Sequence, residues 1–113
     1  MRYMVRRDDP LDSLIQEIRR GAIVLAVLAA LAREEYGWSL RKELADRGIE
    51  IEEGTLYPLL RRLESQGVLS SRWKVEDGRR RRYYRITSDG ERVRDGLAAE
   101  WRNLDRAMEG IER

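Results

Sequence analysis

The chain contains 113 residues, with 23 Lys and Arg against 21 Asp and Glu, and neither cysteine nor histidine. This length suits one domain that folds without disulfides or metal ions. The two missing residue types exclude thiolate and imidazole chemistry, and no pairing of the remaining reactive side chains stands out. We therefore expect no enzymatic activity, no cofactor and no metal site.

Two features of the totals bear on partners and location. The basic side chains are 21 arginines and two lysines. Arginine suits phosphates and guanine edges, although a genome biased towards arginine codons also produces such an excess. The longest apolar run, Ala22 to Ala32, has only 11 residues and is too short to cross a bilayer. We therefore expect a cytoplasmic protein with no membrane contact.

Residues 1–20 are interpreted as an N-terminal arm that contains a short helix. The dipeptide Asp9-Pro10 suits a helix start, because aspartate caps and proline fits the first helical position. Apolar residues then recur at helical spacing until Gly21, which we expect to interrupt the helix. We assign Leu14 and Ile18 to contacts with a partner subunit, with packing on the arm's own domain as the alternative.

Three further helices are predicted between residues 22 and 67. Residues 22–32 are apolar on nearly every face, which is typical of a central buried helix. A second helix is expected from Trp38 to Asp46. The third lies between Ile51 and Gly67, where Gly67 provides a helix end. This order of helix, turn, helix, link and helix is the arrangement of helix-turn-helix proteins.

The third helix combines an apolar stripe with a polar outer face. The stripe is formed by four leucines at i, i+3, i+4 and i+7: Leu56, Leu59, Leu60 and Leu63. Thr55 and Arg61 face away from it and Tyr57 lies at its edge, while Pro58 loosens the first turns. Such a helix fits a DNA major groove, although it also fits the description of an ordinary amphipathic helix.

After Gly67 the apolar period changes from 3.6 to 2, which predicts strands. The dipeptide Asp77-Gly78 is a hairpin signal, and residues 82–87 form the returning strand with Tyr84 and Ile86 towards the core. Three helices followed by a hairpin define a winged helix. The predicted fold class is therefore mainly α with a β-hairpin: a winged helix-turn-helix domain over residues 21–88 and a C-terminal dimerisation helix over residues 89–113.

The hairpin carries most of the local positive charge. Residues 72–85 include seven basic and two acidic side chains, a local net charge of +5. A charge run is usually a solvated loop, but here it follows a candidate recognition helix, which favours contacts with DNA phosphates. The predicted DNA-binding residues on the helices and the hairpin are Gly37, Ser39, Thr55, Tyr57, Arg61, Lys74, Arg79, Arg80, Arg81 and Arg82.

The final helix is expected to begin with Ser88 or Asp89 as its cap. Apolar residues follow at spacings of 4, 4, 3, 4 and 3, a near-heptad seam that needs a partner. The simplest partner is a second copy of the chain, and folding back over the chain's own domain is the alternative. The predicted dimerisation residues on this helix are Val93, Leu97, Trp101, Leu104 and Met108.

The three tryptophans are assigned different roles. Trp38 and Trp73 are interpreted as core aromatics. Trp101 lies on the terminal seam, where two copies could face each other across a dimer. Paired indoles can hold a flat aromatic ligand between them, whereas plain dimer packing is the simpler interpretation.

Several segments together resemble the PadR family of transcriptional regulators. They are Tyr36-Gly37-Trp38-Ser39-Leu40, the run from Glu53 to Glu64 (EGTLYPLLRRLE), Gly67-Val68-Leu69, the run from Arg82 to Thr87 (RYYRIT), and Gly90. The resemblance covers about residues 20–110. It implies a winged helix, a C-terminal dimerisation helix, and repression through a palindromic operator near a promoter. It also implies DNA contacts by Thr55, Tyr57, Arg61 and the wing.

The chain departs from the family pattern at Glu52, where a serine or threonine is common, and its single short terminal helix resembles the smaller subfamily. Members respond to phenolic acids or drug-like aromatics, which implies a possible small aromatic effector. The predicted function is a homodimeric repressor that binds double-stranded DNA. The alternatives are a sensor of an aromatic ligand between subunits, and a winged helix used for protein–protein assembly.

Overall fold

The computed structural model describes residues 9–112, so that residues 1–8 of the predicted arm and Arg113 lie outside the described part. The described residues form four helices and three strands. In order they are α1 (Pro10–Ala30), β1 (Glu35–Tyr36), α2 (Gly37–Asp46), α3 (Glu53–Ser65), β2 (Leu69–Glu76), β3 (Arg79–Ile86) and α4 (Ser88–Glu112). The predicted fold class, mainly α with a β-hairpin, is confirmed, with β1 as an addition.

Helix α1 begins where the sequence predicted and continues further. The Asp9 carboxylate accepts a hydrogen bond from the amide of Leu11 at 3.0 Å, and Pro10 is the first helical residue. The helix then passes through Gly21 without a break, so the predicted interruption is wrong. Glycine destabilises a helix interior by only about 1 kcal/mol, and the apolar residues on both sides, including the buried Val27 and Leu28, hold the helix together.

The sheet is antiparallel in the order β1-β3-β2. Asp77 and Gly78 both have positive φ, 51° and 74°, and they form the predicted tight turn between β2 and β3. Strand β1 was not predicted, because two residues are too few to show an alternating pattern. It pairs Tyr36 with Tyr83 and so attaches the start of α2 to the β2–β3 hairpin, which we call the wing.

The core lies between the three helices of the winged domain and the base of the hairpin. Leu56, Leu60 and Leu63 are buried and Leu59 is half-buried, which confirms the leucine stripe of α3. Tyr84 and Ile86 are buried, also as predicted. The remaining buried apolar side chains are Val27, Leu28, Leu31, Leu40, Leu44, Ile51, Val68, Leu69 and Tyr83.

The assignment of Trp38 and Trp73 to the core is wrong, because their exposed fractions are 56% and 51%. Trp38 lies on the outer face of α2, where its ring stacks on that of Tyr36 with centroids 6.4 Å apart. Trp73 lies on β2 beyond the last core pair, Leu69 and Ile86. Both indoles therefore belong to the surface of the winged domain.

The cap of α4 is Thr87 rather than Ser88 or Asp89. The Thr87 hydroxyl accepts a hydrogen bond from the amide of Gly90 at 2.9 Å and donates to the carbonyl oxygen of Gly67 at 2.7 Å. This second bond favours Thr87 over Ser88 and Asp89 as the cap, because it joins the start of α4 to the turn after α3. Within residues 9–112, no helix combines the length and hydropathy that a membrane span requires.

Candidate nucleic-acid interface

A depression of about 350 Å³ lies between the start of α2, the outer flank of α3 and the wing. We call it the α3–wing cleft. Its lining residues are Tyr36, Gly37, Tyr57, Arg61, Trp73, Arg81, Arg82 and Tyr84. Five of the predicted DNA-binding residues therefore meet on one concave surface, whereas Ser39, Thr55, Lys74, Arg79 and Arg80 lie outside its lining.

Gly37 and Tyr57 join α2 to α3 at the floor of the cleft. A methyl group at Gly37 would overlap the phenol ring of Tyr57. Glycine at this position therefore lets the ring lie directly against the α2 backbone, and Tyr57 is half-buried there. The phenol is held in one place by packing, so that it borders the cleft in a fixed orientation.

The outer face of α3 presents Arg61 between two flanks. Successive helical residues turn by about 100°, which places Tyr57 on the wing side of Arg61 and Thr55 on the other side. Thr55 is exposed and borders a separate depression against α1, next to Arg19 and Glu50. Thr55, Tyr57 and Arg61, the predicted DNA-binding residues of α3, thus span the width of its exposed face.

Arg82 is held on the wing by a closed network. Its guanidinium donates at 2.9 Å to Oε1 of Glu64 on α3 and at 2.9 Å to the hydroxyl of Ser71. That hydroxyl donates in turn to Glu64 at 2.6 Å. The charge of Arg82 is therefore paired with a carboxylate, and the residue joins the wing to α3.

Lys74 also forms an ion pair with a carboxylate, which the sequence did not predict. Its ammonium lies 2.8 Å from Oε1 of Glu34 and 4.2 Å from the centroid of the Tyr83 ring. Glu34 also accepts two hydrogen bonds from Arg72, the shorter at 2.7 Å. Hydrogen bonds from Arg72 and then Lys74 lower the pKa of Glu34 to about 2. This ion cluster fixes the wing to the link between α1 and β1.

The four consecutive arginines of the wing fall into two pairs. Arg81 lies 3.6 Å from Glu76 and over the ring of Tyr36, and Arg82 is paired as above. Arg79 and Arg80 at the tip form no ion pair with a carboxylate in residues 9–112. The predicted positive finger is therefore reduced to its two outermost arginines, because Glu64 and Glu76 compensate the inner two.

The start of α2 differs from the prediction in one detail. The hydroxyl of Ser39 donates to Oε1 of Glu35 at 2.7 Å, so it is occupied within the domain. Tyr36, the residue before the helix, makes no side-chain capping bond. The first backbone amides of α2 therefore donate no hydrogen bond to a capping side chain of Tyr36. A helix start needs such uncapped amides in order to bind an anion.

A second surface is apolar and lies between the middle of α1 and the outer half of α4. This α1–α4 groove has a volume of about 470 Å³. Its lining residues are Ile18, Gly21, Ala22, Leu25, Leu97, Glu100, Trp101, Leu104, Asp105 and Met108. Five of the seven predicted dimerisation residues meet here: Ile18, Leu97, Trp101, Leu104 and Met108.

The predicted seam of α4 divides into two parts. Val93 and Leu97 are half-buried and pack against the chain's own core. Trp101, Leu104 and Met108 keep about half of their surface exposed, and on the arm Leu14 and Ile18 are 57% and 77% exposed. The fold-back alternative therefore describes the beginning of the seam but not its outer half.

The chain resembles known transcriptional regulators in sequence. Residues 24–95 match the model of the "Transcriptional regulator PadR-like family". The chain belongs to the PadR-like family. A transcriptional regulator of Mycobacterium tuberculosis is 44% identical over 77 residues, which are 67% of this chain and 72% of that protein.

Solved structures of transcriptional regulators share this fold. A PadR family regulator from Eggerthella lenta has a TM-score of 0.86 and 45% identity, and the match covers 94% of this chain and 95% of the other. A Streptococcus transcriptional regulator has a TM-score of 0.78 and 28% identity, with 86% and 98% covered. The resemblance drawn from the sequence is confirmed: this is a winged-helix, DNA-binding regulator of transcription, from a family whose members are generally not enzymes.

Proposed function

We propose that this PadR-family chain acts as a homodimeric repressor that binds a palindromic operator near a promoter. The proposal rests on two surfaces of the chain: Tyr57 and Arg61 of α3 border the same cleft as Arg82 of the wing, and apolar side chains of the α1–α4 groove remain exposed. The first arrangement suits a duplex and the second suits another copy of the chain.

The DNA-binding part of the proposal follows from the polar side chains on the outer face of α3 and at the tip of the wing. Helix α3 enters the major groove with Thr55, Tyr57 and Arg61 nearest the base edges and adjacent phosphates. The arginines of the wing tip, Arg79 and Arg80, contact the flanking backbone. In this assignment Lys74 and Arg82 orient the wing rather than bind phosphate, since both already have carboxylate partners.

The dimeric part follows from the exposed apolar surface. Leu14, Ile18, Trp101, Leu104 and Met108 are all exposed by about half or more, and contiguous apolar surface of this kind marks interaction sites. A symmetric pair places two α3 helices on one duplex, and two-fold symmetry in the protein requires a palindrome in the DNA. Repression results where such a site overlaps a promoter, because the bound pair blocks access to it.

A second candidate function is supported by the α1–α4 groove itself. Its volume of about 470 Å³ falls in the range of small-molecule sites, and Trp101 offers an indole for stacking. A flat aromatic effector would bind there and alter the spacing of the two DNA-binding domains. Planar dyes should quench tryptophan fluorescence of the wild-type protein, and the Trp101→Phe variant should show a weaker response. A wild-type protein without any response would remove this candidate.

Selection of genomic fragments by the purified protein tests the main proposal. We expect the enriched fragments to share an inverted repeat with half-sites one helical turn apart, and to lie near promoters. Transcription from such a promoter in vitro should fall when the protein is added. Weak duplex binding that does not change between low and moderate salt would instead favour a winged helix used for protein–protein assembly.

A further inference from the structure

Trp73 lies on the wing with two guanidinium groups over its ring. The guanidinium carbon of Arg80 is 4.4 Å from the ring centroid, and that of Arg82 is 5.6 Å from it. The strand register explains this arrangement. Trp73 pairs directly with Arg82, and Arg80 follows two residues away on the same face of the hairpin.

The two arginines are held in different ways. Arg82 is hydrogen-bonded to Glu64 and Ser71, so its position does not depend on the indole. Arg80 forms no ion pair with a carboxylate in the described part of the chain, and the indole of Trp73 is the group over which it lies. An aromatic face attracts a guanidinium without neutralising it. The N–H groups at the edge of Arg80 therefore stay available to an anion.

The position of the indole is unusual for a residue with only a structural role. Half of Trp73 is exposed although it borders the α3–wing cleft beside Tyr57 and Arg61. Its same-face neighbour Val75, which pairs with Arg80, is 73% exposed. The apolar side chains of this face thus extend well past the core and end beneath the tip arginine.

We propose that Trp73 is a positioning residue of the DNA interface, which holds the guanidinium of Arg80 in place to bind a backbone phosphate. The inference rests on the DNA-binding mode proposed above and deepens it. A free arginine on a hairpin tip loses side-chain freedom when it binds, and the indole restricts Arg80 before DNA arrives. Arg80 and Trp73 then act as one unit, and removal of either removes the same contact.

The experiment measures duplex affinity across a salt series for wild type, Trp73→Ala, Arg80→Ala and the double variant. The duplex is one enriched in the fragment selection. Each single variant should bind about 3- to 10-fold more weakly, and the slope of log K against log salt should fall by about 0.9, the value of one phosphate contact. The double variant should bind no more weakly than either single variant.

Trp73→Leu keeps apolar bulk on the hairpin but has no π face, and it should show the same loss of affinity and slope. This variant keeps the test valid if Trp73→Ala fails to fold, which circular dichroism would reveal. Arg79→Ala is the matched control, because Arg79 lies on the opposite face of the hairpin, across from Glu76. Its effect should add to that of the Trp73 substitution.

The outcomes separate this inference from the proposed function. If wild-type protein does not bind duplex with a salt-dependent affinity, the proposed function fails. If wild type binds but Trp73→Leu keeps the wild-type slope, or if the losses at Trp73 and Arg80 add, the inference is overturned and Trp73 has only a structural role.

Discussion

The guanidinium of Arg82 on the wing lies 2.9 Å from Oε1 of Glu64 on the last turns of α3. The two residues are 18 positions apart in sequence. Their contact, with Ser71 as the third member, is a polar connection between α3 and the hairpin. It sets the angle at which the wing leaves the domain, and therefore where Arg79 and Arg80 can reach.

Glu64→Ala and Arg82→Ala should each lower the free energy of unfolding by about 1 kcal/mol, because each breaks a charge-assisted hydrogen bond that is only partly shielded from water. The double variant should lose little more than one single variant, since the two residues share the contact. Urea unfolding measures all three. The exposed Arg85→Ala is the control and should change stability by less than about 0.5 kcal/mol. Additive losses would mean that the two side chains are not coupled.

Gly37→Ala should destabilise the domain by about 1–3 kcal/mol, because the new methyl group overlaps the ring of Tyr57 and forces that ring to move. DNA affinity should fall with it, since Tyr57 borders the cleft. Gly96→Ala on α4 is the matched control: nothing lies within 4 Å of a methyl group there, and alanine favours a helix. It should leave stability unchanged or raise it. Equal stability of the two variants in thermal unfolding would contradict the close packing at Gly37.

The lowered pKa of Glu34 predicts how stability depends on acid. The ordinary pKa of this carboxyl is 4.5 and its value in the folded protein is about 2. The carboxylate therefore stabilises the fold fully above pH 4.5, and this contribution is lost as the pH falls towards 2. Glu34→Gln should have a flatter stability profile between these two pH values, measured by thermal unfolding. Glu52→Gln, at an exposed position, should keep the wild-type profile. An unchanged profile for Glu34→Gln would count against the ion cluster with Arg72 and Lys74.

Leu104→Glu should convert a dimer into a monomer, because it places a charge on the exposed half of the α4 seam. Sedimentation velocity at several protein concentrations measures the change, and operator affinity should fall in parallel. Arg102→Glu is the control, since Arg102 is exposed on the face of α4 away from the seam. A Leu104→Glu protein that sediments like wild type would place the contact between copies elsewhere.

The elements with a local signal could be predicted from the sequence. The leucine spacing of α3, the Asp77-Gly78 turn and the change of period after Gly67 each depend on residues close together in the chain, and the structure confirms all three. The break expected at Gly21 is wrong because a local preference of about 1 kcal/mol is smaller than the packing energy of a long helix.

The features that the sequence did not predict depend on distant residues. Glu34 pairs with Arg72 across 38 positions, so the local charge count of the wing could not show that Lys74 and Arg82 are compensated. The prediction that Trp73 lies in the core was wrong for a different reason, because its distance from the core can be read from the sequence. Trp73 lies four positions after Leu69 on the same face, which is about 13 Å along a strand and beyond the reach of a small core.

The number of chains on each operator tests the central claim most directly. Native mass spectrometry of the protein with the enriched duplex should detect one duplex with two chains, and a duplex cut to a single half-site should lose most of the affinity. A complex of one chain per duplex, with equal affinity for the single half-site, would contradict the homodimeric repressor.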